Sequence, residues 1–97
     1  GFVHYVATKG AVIGLTRALA IELGPHNICI NAVAPGFTDT EASRTIASVE
    51  KYDTSKTPLR RVGKAEDIVG ATLFLCSDDA DFITGQTVLV DGGRAMH

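Results

Sequence analysis

The chain has 97 residues, of which 45% are hydrophobic and 21% are charged, and its formal net charge is −2. This composition is typical of one globular domain at most, and a slightly negative charge without a basic run argues against a nucleic-acid partner. Lys9, Arg17 and Glu22 interrupt the longest apolar stretch, so no segment reaches the about 20 apolar residues of a membrane span.

The first predicted element is a helix from Val3 to Leu23. This stretch has no proline, is rich in Ala, Leu and Ile, and is followed by Gly24-Pro25, which stops a helix. Its apolar residues run nearly all the way round, so we expect it to be buried on most faces. Several small residues would let another backbone approach closely, namely Ala7, Gly10, Ala11, Gly14 and Ala18. The pattern therefore predicts a helix-packing interface.

The remaining elements alternate between strand and helix. A nearly continuous apolar run from Ile28 to Ala34, ended by Pro35-Gly36, predicts a strand covered on both faces. The polar segment from Phe37 to Thr57 predicts a mobile loop with one or two helical turns. Helical spacing returns from Ala65 to Cys76, and Thr87 to Val90 predicts a second strand, parallel to the first through a right-handed crossover. Two such strands cannot cover their own edges, which indicates part of a larger sheet.

Cysteine and histidine provide no metal site and no disulfide in this interpretation. The two cysteines, Cys29 and Cys76, end or interrupt apolar runs without a CxxC spacing, which predicts buried free thiols and a cytoplasmic location. His26 and Cys29 are only two ligands, too few for zinc. The aspartates at 78–81 lack the glycine and distal glutamate of a calcium loop. We therefore predict no metal.

Tyr5 and Lys9 are the candidate catalytic pair. They are four residues apart on the first helix, so their side chains lie on one face about one turn apart. A nearby ammonium would lower the pKa of a tyrosine from about 10 towards the range of efficient general acid–base catalysis. The spacing alone is weak, because Tyr52 and Lys56 repeat it in a polar segment before Pro58, where no regular helix is expected.

Several further motifs accompany Tyr5 in a fixed order. They are Tyr5-Val-Ala-Thr-Lys9-Gly-Ala, Ile30-Asn-Ala-Val-Ala-Pro-Gly36, Thr40, Pro58-Leu-Arg-Arg-Val-Gly63 with Glu66-Asp-Ile68, Ile83-Thr-Gly85 and Val90-Asp-Gly-Gly93. Together they resemble the C-terminal part of the short-chain dehydrogenases/reductases, nearest to the oxoacyl-reductase-like members. The resemblance implies an α/β fold in which residues 1–97 form the C-terminal portion of one doubly wound, Rossmann-like domain with a parallel sheet. The N-terminal nucleotide-binding half is then absent from the chain.

The resemblance also implies an enzyme that transfers a hydride between NAD or NADP and a carbonyl or secondary alcohol. Tyr5 would be the general acid or base, and Lys9 would lower its pKa and hold the nicotinamide ribose. Substrate contacts would come from residues between Phe37 and Thr57. The Tyr5 helix would pack against its counterpart in a homo-oligomer.

The implied cofactor contacts form a larger set, namely Lys9, Pro35, Gly36, Thr38 and Thr40. Pro35 and Gly36 would approach the nicotinamide ring with their backbone, Thr38 would offer main-chain contacts to its carboxamide, and Thr40 would offer its hydroxyl.

Some family features have no match in the chain. The ten glycines include no Gly-rich nucleotide turn, and the substrate-orienting serine and the relay asparagine of the family precede Tyr5. Asn31 is not that asparagine. The chain alone is therefore expected to be inactive, and an alternative function is a truncated, inert packing or oligomerisation module.

Overall fold

The computed structural model describes residues 3–45 and 49–95, apart from the side chain of Tyr5. Its helices are α1 (Val3–Leu23), α2 (Glu41–Arg44) and α3 (Ala65–Leu75). Its strands are β1 (Ala32–Pro35), β2 (Thr38–Asp39), β3 (Gly63–Lys64) and β4 (Thr87–Val90). Short 3-10 helices cover Gly24–His26, Thr54–Lys56 and Asp78–Ala80. The predicted α/β class and the order helix, strand, loop, helix, strand are confirmed.

The chain divides into two compact units. One comprises Gly1–Ala32 and Leu75–Val88, and the other comprises Val33–Phe74 and Leu89–His97. None of the helices in the described residues is long and apolar enough to cross a membrane.

Helix α1 dominates the first unit and has the predicted bounds. It ends where Gly24 begins a 3-10 turn, and Asn27 closes that turn in the left-handed conformation with φ 61°. The Asn27 amide donates to the carbonyl of Gly24 at 2.8 Å. Asparagine tolerates this conformation better than most residues, so the turn is a stable stop. His26 lies in this turn.

The prediction that α1 is buried on most faces is wrong for this chain. Thr16 and Ala20 are buried, and a Cβ added at Gly85 would lie 3.4 Å from the Cβ of Ala20. The large apolar side chains elsewhere on the helix are exposed, namely Val3, Val6, Val12, Leu15 and Ile21. An all-round apolar pattern needs partners on every side, and the described part of the unit covers one side only.

The first strand is shorter than predicted. It begins at Ala32 rather than Ile28, because backbone groups near Ile30 and Gln86 hydrogen-bond to side chains there. The Ile30 amide donates to the Thr84 hydroxyl at 2.9 Å, and the Gln86 amide donates to the Asn31 side chain at 3.1 Å. The Asn31 amide group also donates to the carbonyl of Ile83 at 3.0 Å.

Strands β1 and β4 form a two-stranded sheet. Gly85 donates to Ile30, Ala32 donates to Gln86 and, further along, Gly36 donates to Val90, so partner numbers rise together as in a parallel pair. The predicted bounds of β4 are confirmed. The prediction of strands covered on both faces is wrong here, because β4 is half-buried throughout and β1 ends exposed.

Both cysteines are free, as predicted, but they are exposed rather than buried. Cys29 lies before the start of β1, and Cys76 lies one residue beyond the end of α3. The Cys29 thiol makes a long contact of 3.6 Å with the carbonyl of Asp81. Neither side chain therefore lies in a strand or helix core of this chain.

The second unit contains a parallel pair that the sequence analysis did not predict. In it Thr38 pairs with Gly63 and Asp39 with Lys64. Helix α2 and the 3-10 helix at Thr54–Lys56 agree with the one or two helical turns predicted for residues 37–57, whereas strand β2 in that segment was not predicted. Helix α3 ends at Leu75, one residue earlier than predicted.

Candidate functional site

Helix α1 carries the candidate catalytic pair. The helix is continuous from Val3 to Leu23, so its backbone places Tyr5 and Lys9 one turn apart on one face. The hydroxyl of Thr8 donates to the carbonyl of His4 at 2.7 Å across the same turn. Because the Tyr5 side chain lies outside the described part of the structure, the contact between phenol and ammonium stays a prediction.

Gly36 is required by packing within the chain itself. Its amide donates to the carbonyl of Val90 at 3.0 Å. A Cβ at this position would lie 2.7 Å from the Cβ and 3.0 Å from the Cα of Asp91. A side chain here would therefore require Asp91 to shift, and the predicted approach of Gly36 to the nicotinamide ring stays a prediction.

Thr38 and Thr40 both use their hydroxyls to shape the backbone that follows β1. The Thr38 hydroxyl donates to the carbonyl of Gly36 at 3.0 Å. The Thr40 hydroxyl caps α2 by accepting from the amide of Ser43 at 3.1 Å, while Ser43 Oγ accepts from the Thr40 amide at 2.9 Å. This reciprocal pair is a capping box. The cap occupies a lone pair of Thr40, and the hydroxyl retains its hydrogen for donation.

An ion pair fixes α2 to β2. Arg44 binds Asp39 through two hydrogen bonds of 2.6 and 2.8 Å. The hydrogen bonds from Arg44 lower the pKa of Asp39, which keeps this carboxylate ionised. The pair could not be predicted from the sequence, because its members are five residues apart and lie on both sides of the Thr40 cap.

A second ion pair connects the residues just before β3 to α3. Arg61 donates to both carboxylate oxygens of Asp67, at 2.7 and 2.9 Å. The Lys64 amide also donates to Asp67 at 2.8 Å. These hydrogen bonds, above all those from Arg61, hold the pKa of Asp67 well below its usual range. Asp67 thus satisfies a donor at the start of α3, where an acidic residue is favoured by the helix dipole.

Tyr52 and Lys56 are not joined by a continuous helix, as predicted. Asp53 between them is extended, with φ −77° and ψ 101°, and its side chain caps the 3-10 helix Thr54–Lys56. The Tyr52 ring instead stacks on Phe37, with centroids 4.4 Å apart and an interplanar angle of 11°. The Arg94 guanidinium lies 4.8 Å from the centroid of the same ring.

The other sequence candidates have structural roles in the described residues. Asp91 forms a turn after β4, since its carboxylate accepts from the amides of Gly93 and Ala95, each at 2.9 Å. The aspartates at 78–81 lie in an exposed 3-10 turn. Within residues 3–45 and 49–95, no three histidine, cysteine or acidic side chains are grouped closely enough to bind a metal ion.

Comparison with known sequences identifies the family. Residues 1–95 match the family model described as enoyl-(acyl carrier protein) reductase. The human dehydrogenase/reductase SDR family member 4 is 49% identical over 96 residues, which are 96% of this chain and 34% of that protein. The 3-oxoacyl-[acyl-carrier-protein] reductase FabG of Chlamydia trachomatis is 45% identical over 98% of this chain and 39% of its own length. The chain thus spans between a third and two fifths of these relatives.

Solved structures match in three dimensions as well. A short-chain dehydrogenase/reductase from Brucella melitensis superposes with a TM-score of 0.89 and 41% identity, over 99% of this chain and 39% of that one. A 4-hydroxyisoleucine dehydrogenase mutant, complexed with NADH and succinate, gives 0.84 and 38% over 94% and 39%. YwfH, an NADPH-dependent reductase, gives 0.80 and 33% over 91% and 38%. By sequence and by structure, the chain belongs to the short-chain dehydrogenase/reductase family.

Proposed function

We propose that the protein carrying this chain is an NAD- or NADP-dependent oxidoreductase that acts on a carbonyl or secondary alcohol. The observation that carries the proposal is the Tyr5-x-x-x-Lys9 motif on one uninterrupted helix, in a chain that belongs to this family. Two structurally similar proteins are described with NADH or as NADPH-dependent, which supports either nucleotide as cofactor.

The proposed role of Tyr5 is proton exchange at the substrate oxygen. In the reducing direction its phenol gives a proton to the oxygen, and in the oxidising direction its phenolate takes that proton. Lys9, one turn away, favours the phenolate by its positive charge. It would also hold the nicotinamide ribose.

The residues after β1 suit a nicotinamide nucleotide. Pro35 is exposed at the carboxyl end of a parallel strand, the edge at which α/β sheets bind their ligands. Thr40 is exposed and retains a hydroxyl hydrogen. Pro35, Gly36, Thr38 and Thr40 would hold the nicotinamide end through backbone and hydroxyl groups. When bound, the cofactor supplies or accepts the hydride.

We also propose that the chain is the C-terminal portion of one domain whose nucleotide-binding half precedes it. The support is the share of the relatives that it spans, 34% and 39%, and the absence of a nucleotide-binding glycine turn from its ten glycines. Substrate contacts would then come from residues 37–57. The cytoplasmic location stays a prediction.

The exposed apolar side chains of α1 support association. Val6 and Ile21 are exposed on the side of the helix that also carries Gly10 and Gly14, and such a surface favours close helix packing. We propose a homo-oligomer through α1. The same observation favours the second candidate function, a catalytically inert packing module.

Deuteride transfer tests the reaction class. The full-length protein is incubated with NADH or NADPH carrying deuterium at C4 of the nicotinamide, in turn on each face, and with a panel of ketones and aldehydes. Deuterium at the carbinol carbon of a product, found by mass spectrometry, is the expected result. Nucleotide binding without transfer to any carbonyl would contradict the proposal. For the second candidate, NADPH binding by the isolated chain would count against an inert module.

A further inference from the structure

An aromatic contact joins the two ends of the segment 37–57, although the two residues are far apart in sequence. Phe37 lies two residues after the end of β1, and Tyr52 lies near the other end of the segment. Their rings are nearly parallel at 4.4 Å. Phe37 is itself held in place, since its carbonyl accepts from the Gly63 amide at 3.1 Å. We refer to Phe37, Tyr52 and Arg94 together as the Tyr52 stack.

Arg94 connects the returning end of this segment to the turn after β4. Its Nη1 donates to the carbonyl of Asp53 at 2.7 Å and to the hydroxyl of Thr57 at 3.1 Å. Its guanidinium lies 4.8 Å from the Tyr52 ring centroid, within the range of a cation–π contact. Thr57 is 2% exposed, so this hydrogen bond is shielded from water on the threonine side. One side chain therefore contacts three residues of the segment.

The turn that carries Arg94 packs closely against the end of the segment. Gly92 and Gly93 have φ of 68° and 90°, a conformation that favours glycine. A Cβ on Gly92 would lie 2.8 Å from Cγ2 of Thr57, and one on Gly93 would lie 3.0 Å from Cγ of Pro58. The Leu59 amide donates to the carbonyl of Gly92 at 3.1 Å. Because Asp91 accepts from amides on both sides of Arg94, the backbone of Arg94 is fixed too.

We propose that Arg94 is a positioning residue that holds the substrate-contacting segment, through the Tyr52 stack, against the turn after β4. The proposal rests on the proposed function, which assigns substrate contacts to residues 37–57. Arg94 contacts the Tyr52, Asp53 and Thr57 end directly and the Phe37 end through the Tyr52 ring. Its removal leaves the proton-exchanging pair intact and displaces the groups that orient the substrate. Substrate affinity is therefore the quantity that Arg94 controls.

The test compares Arg94→Met with wild type in the full-length protein. Arg94→Met keeps much of the side chain's length and removes its charge and its donors. We expect the substrate KM to rise about tenfold, kcat to change less than about threefold, and the Kd of the nucleotide to stay the same. Hydrogen exchange in residues 52–59 should accelerate. Arg94→Lys keeps the cation without the planar fork, so its KM should lie between those of the wild type and Arg94→Met.

Matched variants separate this role from general loss of stability. Lys64→Met removes a cation from the same unit outside the stack and should leave both KM and exchange unchanged. Tyr52→Leu should reproduce the KM increase, and Tyr52→Phe, which keeps the ring, should restore the wild-type value. An Arg94→Met protein with unchanged KM and unchanged exchange would overturn the proposal, as would a KM increase that Lys64→Met reproduces. A wild-type protein without turnover would refute the proposed function instead, and exchange in residues 52–59 would still decide whether Arg94 holds the segment.

Discussion

The chain contains the spacing Tyr-x-x-x-Lys twice, and the backbone conformation differs between the two copies. Tyr5 and Lys9 lie on a helix that is continuous from Val3 to Leu23. Between Tyr52 and Lys56 the backbone is extended at Asp53 before a short 3-10 helix begins. Four residues bring two side chains together only when the backbone between them is helical. The backbone therefore places the first pair on one helix face and does not do so for the second.

The surroundings of the two copies differ as well. The Tyr52 ring is committed to packing, since it contacts both Phe37 and Arg94. Helix α1 instead exposes much of its surface, including Lys9. A residue that exchanges protons with a substrate must be reachable, whereas a residue that fixes a loop must be enclosed by its partners. This difference agrees with the roles proposed for the two tyrosines, proton exchange for Tyr5 and packing for Tyr52.

A large difference in catalytic efficiency is expected between variants of the two lysines. Lys9→Met should lower kcat/KM about 100-fold or more, because it removes the charge proposed to favour the Tyr5 phenolate and a contact to the ribose. Lys56→Met should change it less than about threefold. Steady-state kinetics and nucleotide titration of the full-length protein measure both. Equal losses in the two variants would remove the distinction between the copies.

The next prediction is a loss of unfolding free energy caused by a substitution just after β1. Gly36→Ala places a Cβ 2.7 Å from that of Asp91, and such overpacking costs about 1–3 kcal/mol of unfolding free energy. Chemical denaturation of the variant and the wild type gives the difference. A loss close to zero would show that Asp91 can move away, and that Gly36 is not needed for packing.

Gly14→Ala provides the contrasting case on α1. Among the described atoms, a Cβ on Gly14 meets nothing within 4 Å. Alanine should therefore stabilise the helix by up to about 1 kcal/mol if this face is open. If α1 packs against a second subunit, the methyl group should instead weaken association. Denaturation midpoints and sedimentation velocity distinguish the two results, and unchanged assembly with higher stability would contradict the proposed α1 interface.

The smallest effect is the acid response of the segment after β1. Arg44 lowers the folded-state pKa of Asp39, so the ion pair contributes stability above the unfolded pKa of about 4 and loses it as the pH falls further. The protection factors of residues 37–45 against hydrogen exchange, which correct for the pH dependence of intrinsic exchange, should therefore fall between about pH 4 and pH 2. Asp39→Asn should exchange faster already at pH 6 and respond less to acid. A variant with the wild-type pH response would assign the effect to other groups.

Long elements with clear stop signals could be predicted from the sequence. Helix α1 and strand β4 have the predicted bounds, because Gly24-Pro25 ends the helix and Asp91 begins a turn after the strand. The parallel pair β2–β3 could not be predicted, since two-residue strands have no periodicity. The start of β1 was misplaced because the side chains of Asn31 and Thr84 replace backbone partners.

Burial and long-range contacts were harder to predict. The apolar pattern of α1 predicts buried faces without specifying whether the cover comes from this chain, and most of those side chains are exposed. Arg94 and Tyr52 have no local signal that connects them, because their contact depends on the turn after β4. The family motifs indicated candidate site residues, and they contained no sign that Gly36 already packs against Asp91.

The most direct test of the account compares Tyr5→Phe with Tyr52→Phe in the full-length protein. Each variant loses only a hydroxyl group. Folding and cofactor binding are checked in both variants before turnover is measured. We expect Tyr5→Phe to bind NAD(P)H with wild-type affinity and to lose about 10²- to 10⁴-fold in kcat, whereas Tyr52→Phe keeps kcat within about threefold. Wild-type turnover by Tyr5→Phe, or an equal loss in Tyr52→Phe, would contradict the assignment of proton exchange to Tyr5.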